Sequence, residues 1–155
     1  MTTTIFPTPS YSIDLADGIE SELDETVSSF WLSGNDVLLQ LSSYVRTDGT
    51  QVGANERLNE RLSKSELTAV RDRDLRCESC PDFACKGGLD REGIEWIYCY
   101  AVWADLAVFA TISGTVASLA NESALLGPLA RACSRLTCRC SRRAGWQLRV
   151  DPGQS

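Results

Sequence analysis

Residues 95–114 read EWIYCYAVWADLAVFATISG, and no other part of the chain restricts the fold as much. The run is crowded with aromatic and β-branched residues, which favour a pleated, extended backbone. On an extended chain Trp96, Tyr98, Tyr100 and Val102 fall on one side, and Ile97, Cys99, Ala101 and Trp103 on the other. Both sides are largely apolar, so this strand must be covered on both faces. Ala104-Asp105 interrupts the run, and Leu106, Val108 and Ile112 then oppose Phe109 and Thr111. A two-residue connection between such strands implies an antiparallel pair. Asp105 also breaks the longest apolar-rich stretch, which is too short for a membrane span.

The first half carries the same period-two signal more weakly. Tyr11, Ile13 and Leu15 alternate with polar neighbours up to a turn at Asp17-Gly18. TVSSFWLSGND predicts a short strand closed at Gly34-Asn35-Asp36. In the next segment Val37, Leu39, Leu41 and Val45 share one face, and TDGTQ (47–51) turns the chain. These elements read as an antiparallel meander. At Ala54 the period changes: Ala54, Leu58 and Leu62 recur every fourth residue, as on a helix face. Ser63 and Glu66 have capping-box spacing, which predicts a second helical stretch with Leu67 and Val70 on its apolar side. FACKGGLDREGIEW reads as strand, turn, strand, with Gly87-Gly88 and Gly93 taken as the turn glycines. A last helix is expected over 123–138, its stripe made by Leu125, Leu126, Leu129, Cys133 and Leu136. Gly127-Pro128 should break or kink it, or start it at Pro128.

The expected fold is α+β: one mostly antiparallel sheet of about five to six strands, covered by two helical regions at 54–72 and 123–138. At 155 residues the chain has the length of one domain. We assign 1–10 as a flexible N-terminus, 11–140 as the domain and 141–155 as a flexible basic tail.

Composition closes off much chemistry. There is no histidine, which removes Ser-His-Asp and Cys-His catalysis in their usual forms, and His-containing zinc sites. Only two lysines, Lys64 and Lys86, are present, and Gly87-Gly88 lacks the context of a phosphate loop. No cofactor is expected. The formal net charge of −6 argues against gripping nucleic acid, which needs Lys and Arg to displace counterions. With no signal peptide and no membrane span read from the sequence, a cytoplasmic protein without a membrane partner is expected.

The charge is uneven. Asp14, Asp17, Glu20, Glu22, Asp24 and Glu25 lie within residues 11–25, which hold no base. Arg131, Arg135, Arg139, Arg142, Arg143 and Arg149 lie within 131–149, which hold no acid. The plain reading is two solvated segments; the sharper one is an acidic docking face for a basic protein partner, made by Asp17, Glu20, Glu22, Asp24 and Glu25.

The seven cysteines raise a second question. Cys99 on the strand and Cys133 on the helix stripe read as small buried hydrophobes. Cys77, Cys80 and Cys85 form a C-x-x-C-x-x-x-x-C cluster, read chiefly as loop thiols, with a structural metal or a redox or disulfide pair as the alternatives. Cys138-x-Cys140 is poorly spaced for a zinc knuckle.

EWIYCYAVWADLAVFATISG followed by ALLGPLARACSRL resembles the C-terminal half of small bacterial PsbP-like α/β sandwich proteins, among them immunity-type proteins of toxin systems. The resemblance covers roughly residues 94–138, with a vaguer match at 11–46. It implies two long antiparallel strands with a helix packed back on the sheet, and a small, acidic, non-enzymatic protein; it carries over no functional residue. The expected function is therefore a non-catalytic binding protein of immunity-inhibitor type, docking its acidic face on a basic partner. Two other readings stay open: a zinc- or thiol-dependent protein using the 77–85 cluster, and a domain whose aromatics (Trp31, Trp96, Trp103, Tyr98, Tyr100) hold a small apolar ligand.

Overall fold

The computed structural model describes residues 2–45, 52–104, 106–120 and 126–138. The turn expected at 47–51, Cys140 and the tail 141–155 lie outside them.

The central element is the hairpin anticipated from residues 95–114. Its strands, named by chain order β8 (Glu95–Trp103) and β9 (Leu106–Gly114), pair antiparallel from Glu95↔Gly114 to Trp103↔Leu106. The connection is so tight that Ala104 takes φ 37°. A side chain in that left-handed region costs roughly 1–2 kcal/mol, and glycine does not bear this cost. Ala104→Gly is therefore expected to raise stability by about 1 kcal/mol, or about 2–4 °C in melting temperature, read by thermal denaturation.

Around this hairpin runs a seven-stranded sheet. Its order is β3 (Ile19–Glu22), β4 (Ser28–Leu32), β5 (Leu38–Val45), β9, β8, β7 (Asp82–Leu89) and β6 (Thr68–Asp72). Every pairing in it is antiparallel. A second, three-stranded sheet has the order β1 (Thr2–Thr8), β2 (Tyr11–Ala16) and β10 (Thr137–Cys138). The α+β class with antiparallel sheets stands, but five to six strands in one sheet is corrected, among the described residues, to seven in one sheet and three in another. The expected meander splits at Asp17-Gly18. There the chain leaves β2 in the small sheet and enters β3 in the large one, because Tyr11, Ile13 and Leu15 bury themselves across the core from the large sheet. Residues 2–8, set aside above within a flexible N-terminus, are placed as β1 against β2.

Two layers flank the large sheet. On one face, Ile97, Cys99, Ala101 and Trp103 of β8 meet Val108, Ala110 and Ile112 of β9, Leu39 and Leu41 of β5, the apolar side of β2 and helix α2 (Leu126–Ser134). Ile97, Leu39 and Ile112 are fully buried there. On the other face Ala54 and Leu58 of helix α1 (Ala54–Ser63) pack on Ala84 and Tyr100. The coverage of β8 on both sides, required by its composition, is met in this way.

Three local readings are corrected. The helical region 54–72 ends at Ser63, because the hydroxyls of Ser63 and Ser65 bond back to the carbonyls of Glu60 and Leu62. The spacing that suggested a new helix cap thus closes the old helix, and Thr68–Asp72 becomes edge strand β6. Gly87 and Gly88 lie inside β7, not in a turn. A Cβ on Gly88 would come within 3.0 Å of the Thr68 carbonyl oxygen and 3.1 Å of Leu67, so glycine there lets β6 approach. The turn is Asp90–Gly93: Gly93 has φ 81°, and Asp90 Oδ1 accepts from the amides of Glu92 and Ile94. Finally, the helix expected to reach 138 stops at Ser134, since Thr137 and Cys138 pair with Ser12 and Tyr11 to form β10. Pro128 sits in its first turn, where no amide donor is missed.

Tyr11, 1% exposed beside β10, supplies a pH response. Burial pushes its phenol well above the ordinary value. An unfolded tyrosine ionises near pH ~10 while the native one keeps its proton, so the native state binds more protons and stability falls as pH rises past that value. Denaturant titrations above about pH 10 should show Tyr11→Phe losing less stability than the parent, by up to about 1.4 kcal/mol per pH unit, with no such difference near neutrality. Equal alkaline losses in the two proteins would remove Tyr11 as the cause.

Among the described residues no helix is long and apolar enough to cross a membrane.

Candidate functional site

The outer face of the large sheet holds a row of aromatic side chains. Tyr98 and Tyr100 project from β8 at period two, and Phe109 stands opposite Tyr100 on β9. The Phe109 ring lies 5.4 Å from Tyr98, edge-on, and 4.7 Å from Tyr100. Tyr44 at the end of β5 completes the row.

Helix α1 lies across this row. Its start is held from another part of the chain, because Asp82 Oδ2 on β7 accepts the Ala54 amide at 2.8 Å. Ala54 and Leu58 are buried, and Arg57 and Arg61, one turn apart, come to lie beside the apolar stripe. Arg57 Nε donates to the Val52 carbonyl at 3.3 Å. Arg61 is held from three strands: Nη2 donates to the hydroxyls of Tyr100 at 3.2 Å and Tyr44 at 3.4 Å, and its guanidinium carbon lies 4.3 Å from the Phe109 ring centre. Partial burial pulls the Arg61 guanidinium down, but the Tyr100 and Tyr44 hydroxyls outweigh it and leave it above its ordinary value. Burial raises the Tyr98 phenol, with Arg61 opposing.

Between helix and sheet opens a cleft of about 550 Å³. Tyr44, Tyr98, Tyr100 and Ser65 line it, with Arg57, Arg61 and Lys64 supplying positive charge. Its single lining acid, Glu60, pairs with Lys64 at 3.3 Å on the exposed rim. Among the described residues no carboxylate lies within ion-pair distance of Arg61. A chain of net charge −6 thus carries a locally basic, phenol-lined cleft, of the size of small-ligand sites.

The acidic residues singled out from sequence are not brought to this place. Asp17 lies in the turn before β3, Glu20 and Glu22 on β3, and Asp24 and Glu25 in the loop after it; all are exposed. Glu20 Oε2 accepts the indole N–H of Trp31 at 3.1 Å, and Asp24 accepts from the amide and hydroxyl of Thr26. β3 is an edge strand of the sheet, where exposed charge also discourages unwanted strand pairing.

The five aromatics do not gather into one site. Trp103 is buried in the opposite core, Trp31 sits near the β3 edge, and Trp96 Nε1 donates to Asp90 Oδ2 at 2.9 Å. Only Tyr98 and Tyr100 reach the cleft, which is polar where an apolar site was expected. Arg57, Arg61, Lys64 and Tyr44 were missed. The available signal was three bases at i, i+4 and i+7 along the flank of the α1 stripe, which on their own read as a solvated face.

Cys77, Cys80 and Cys85 do not act as a unit. Cys77 and Cys80 are joined in a disulfide, the alternative to the loop thiols chiefly expected, and Cys85 faces Cys99 across β7 and β8. Among the described residues, no group of three or more Cys, Asp or Glu is placed to hold a metal ion. Cys99 and Cys133 are buried, on the strand and helix assigned to them.

No family model matches this chain, and neither does any curated protein. Among solved structures, a protein from Bacteroides thetaiotaomicron VPI-5482, with a crystal structure at 1.50 Å resolution, is similar in fold, with a TM-score of 0.57, 12% sequence identity and 90% of this chain covered. The match takes in 49% of that protein, so this chain spans about half its length. At that identity the likeness is one of fold.

Proposed function

We propose that this is a non-catalytic binding protein whose site is the cleft under α1, and that it takes a small anionic ligand with a planar or aromatic part. The observation that carries the reading is Arg61. Its charge is oriented by two phenols and an aromatic ring, lines the cleft and meets no carboxylate among the described residues. A guanidinium held in one orientation recognises carboxylate or phosphate with little ordering left to do. The tyrosine rings offer stacking surface to the remainder of the ligand.

The test is calorimetry and thermal shift with benzoate, phenyl phosphate, a nucleoside monophosphate and inorganic phosphate. An aromatic anion should stabilise the protein saturably, inorganic phosphate less so, and Arg61→Met should lose about tenfold or more in affinity for the aromatic anion. Equal binding to the parent and Arg61→Met, or no binding by any of the four probes, counts against the cleft.

A second reading keeps the docking of an immunity-type inhibitor on a basic partner. It is favoured by one feature: edge strand β3 and its following loop expose Glu20, Glu22, Asp24 and Glu25 beside apolar Leu23 and Val27. An edge strand can add a partner's strand while charge steers the encounter. Reversing Glu20, Glu22 and Asp24 together should slow association with the product of an adjoining gene and flatten its salt dependence. An unchanged rate and salt slope would exclude this face.

A further inference from the structure

The opposite side of β8 from the cleft carries a set of thiols that the proposed binding function does not use. Cys85 on β7 and Cys99 on β8 stand directly opposite each other in the antiparallel register. Their sulfurs are 3.2 Å apart. Directly opposed residues of an antiparallel pair have Cα atoms about 4.5–5.5 Å apart, inside the range of about 4.4–6.8 Å that a disulfide spans. A bond between them therefore needs rotation of two side chains and no shift of backbone.

The two thiols differ in access. Cys99 is fully buried, while Cys85 is half-buried. β6 pairs with β7 only as far as Asp72↔Lys86, so Cys85 is the first residue of β7 beyond the reach of that edge strand. Cys85 keeps part of its surface exposed, so of the two thiols it is the one a small reagent can reach. Hydrogen bonding with Cys133 and Cys85, together with burial, holds the Cys99 proton well above the ordinary thiol range, so Cys85 is the entry thiol.

We infer that Cys85 and Cys99 form a second, reversible thiol–disulfide site in this protein, beyond the Cys77–Cys80 bond, closed by exchange with a small-molecule disulfide of the glutathione class. The Cys85 thiolate attacks one sulfur of oxidised glutathione. The glutathione S–S bond breaks, and one glutathione leaves as a thiolate that takes up a proton. Cys99 sulfur then attacks Cys85 Sγ in the mixed disulfide, forming the Cys85–Cys99 bond and expelling the second glutathione, which takes the Cys99 proton. Two protein thiols are oxidised and one small disulfide is reduced to two thiols.

The experiment uses the full chain, reduced, then incubated folded with oxidised glutathione in mildly alkaline buffer, acid-quenched and read by intact mass and peptide mapping. The parent should lose a second pair of hydrogens beyond the Cys77–Cys80 pair, retain no glutathione on Cys85 or Cys99 and yield a Cys85–Cys99 peptide. Cys99→Ala, which keeps Cys85 but removes its resolving partner, should instead retain one glutathione on Cys85. Cys85→Ser should take up neither the link nor the glutathione at this pair. Circular dichroism confirms that each variant is folded. A parent that keeps glutathione on Cys85, leaves both thiols free, or links Cys99 chiefly to Cys133 overturns the assignment.

Discussion

Trp103→Ala is expected to cost the fold about 4–5 kcal/mol, a large part of the roughly 5–15 kcal/mol that holds a domain together. Trp103 ends β8 and is 2% exposed within the main core. Truncation opens a cavity in the main core beside Leu106, which a sheet pinned on both sides collapses into only in part. The indole N–H also donates to the Ser79 carbonyl at 3.1 Å and so ties the Cys77–Cys80 loop to the sheet. Trp103→Phe keeps most of the ring volume and removes that bond, and should cost about 1–2 kcal/mol. Denaturant unfolding followed by far-ultraviolet circular dichroism measures both. A loss below about 1 kcal/mol for the alanine variant would mean that the indole does not pack the core as described.

The second large effect concerns Arg73 and Glu95. Both side chains are 6% exposed, and the guanidinium is hydrogen-bonded to the carboxylate. Arg73 Nη2 also donates to the Leu119 carbonyl at 2.8 Å, so one side chain joins the segment after β6, the start of β8 and the segment after β9. Gly87 leaves room for its stem, since a Cβ there would lie 3.1 Å from Arg73 Cγ. Among the described residues, Arg73→Met leaves Glu95 buried with only Arg71, itself largely exposed, at 3.7 Å. Breaking a buried pair from one side costs about 3–5 kcal/mol, and Arg71 places the expected loss near the lower figure. Arg73→Met combined with Glu95→Leu removes both charges and should recover most of that loss, a non-additivity that denaturant titration of the three variants reads directly. If the double variant is as unstable as the sum of the singles, the buried pair does not behave as a unit.

Several elements were legible because their signal is local. The alternation of Trp96 to Trp103 placed every side chain of β8 on its observed face, and the Ala104-Asp105 break placed the hairpin. Ala54 and Leu58 marked the buried side of α1. The failures were equally local in origin. Ser63 and Glu66 have the spacing of a helix start, yet a serine hydroxyl serves a helix end as well as a beginning, and here it bonds backward. Gly87-Gly88 suits a turn or a close crossing of strands, and only the presence of β6 decides between them.

The candidate site was the least legible part, for the same reason. Arg57, Arg61 and Lys64 look in sequence like any exposed helix flank. Their meaning comes from Tyr44, Tyr100 and Phe109, which lie on three strands far away in the chain and meet at one guanidinium. Cys85 and Cys99 likewise become a pair only through the register of β7 on β8.

Sequence by itself determined the strand and helix periods, the two-faced central hairpin and the absence of histidine chemistry, because these depend on backbone geometry and residue type within a few positions. Tertiary structure alone decided that the strands divide into a sheet of seven and a sheet of three, that a basic phenol-lined cleft opens under α1, and which cysteines meet. Partners distant along the chain are chosen by which pairing buries the most apolar surface for the least loop-closure entropy, a balance struck over the whole chain and not within any one segment.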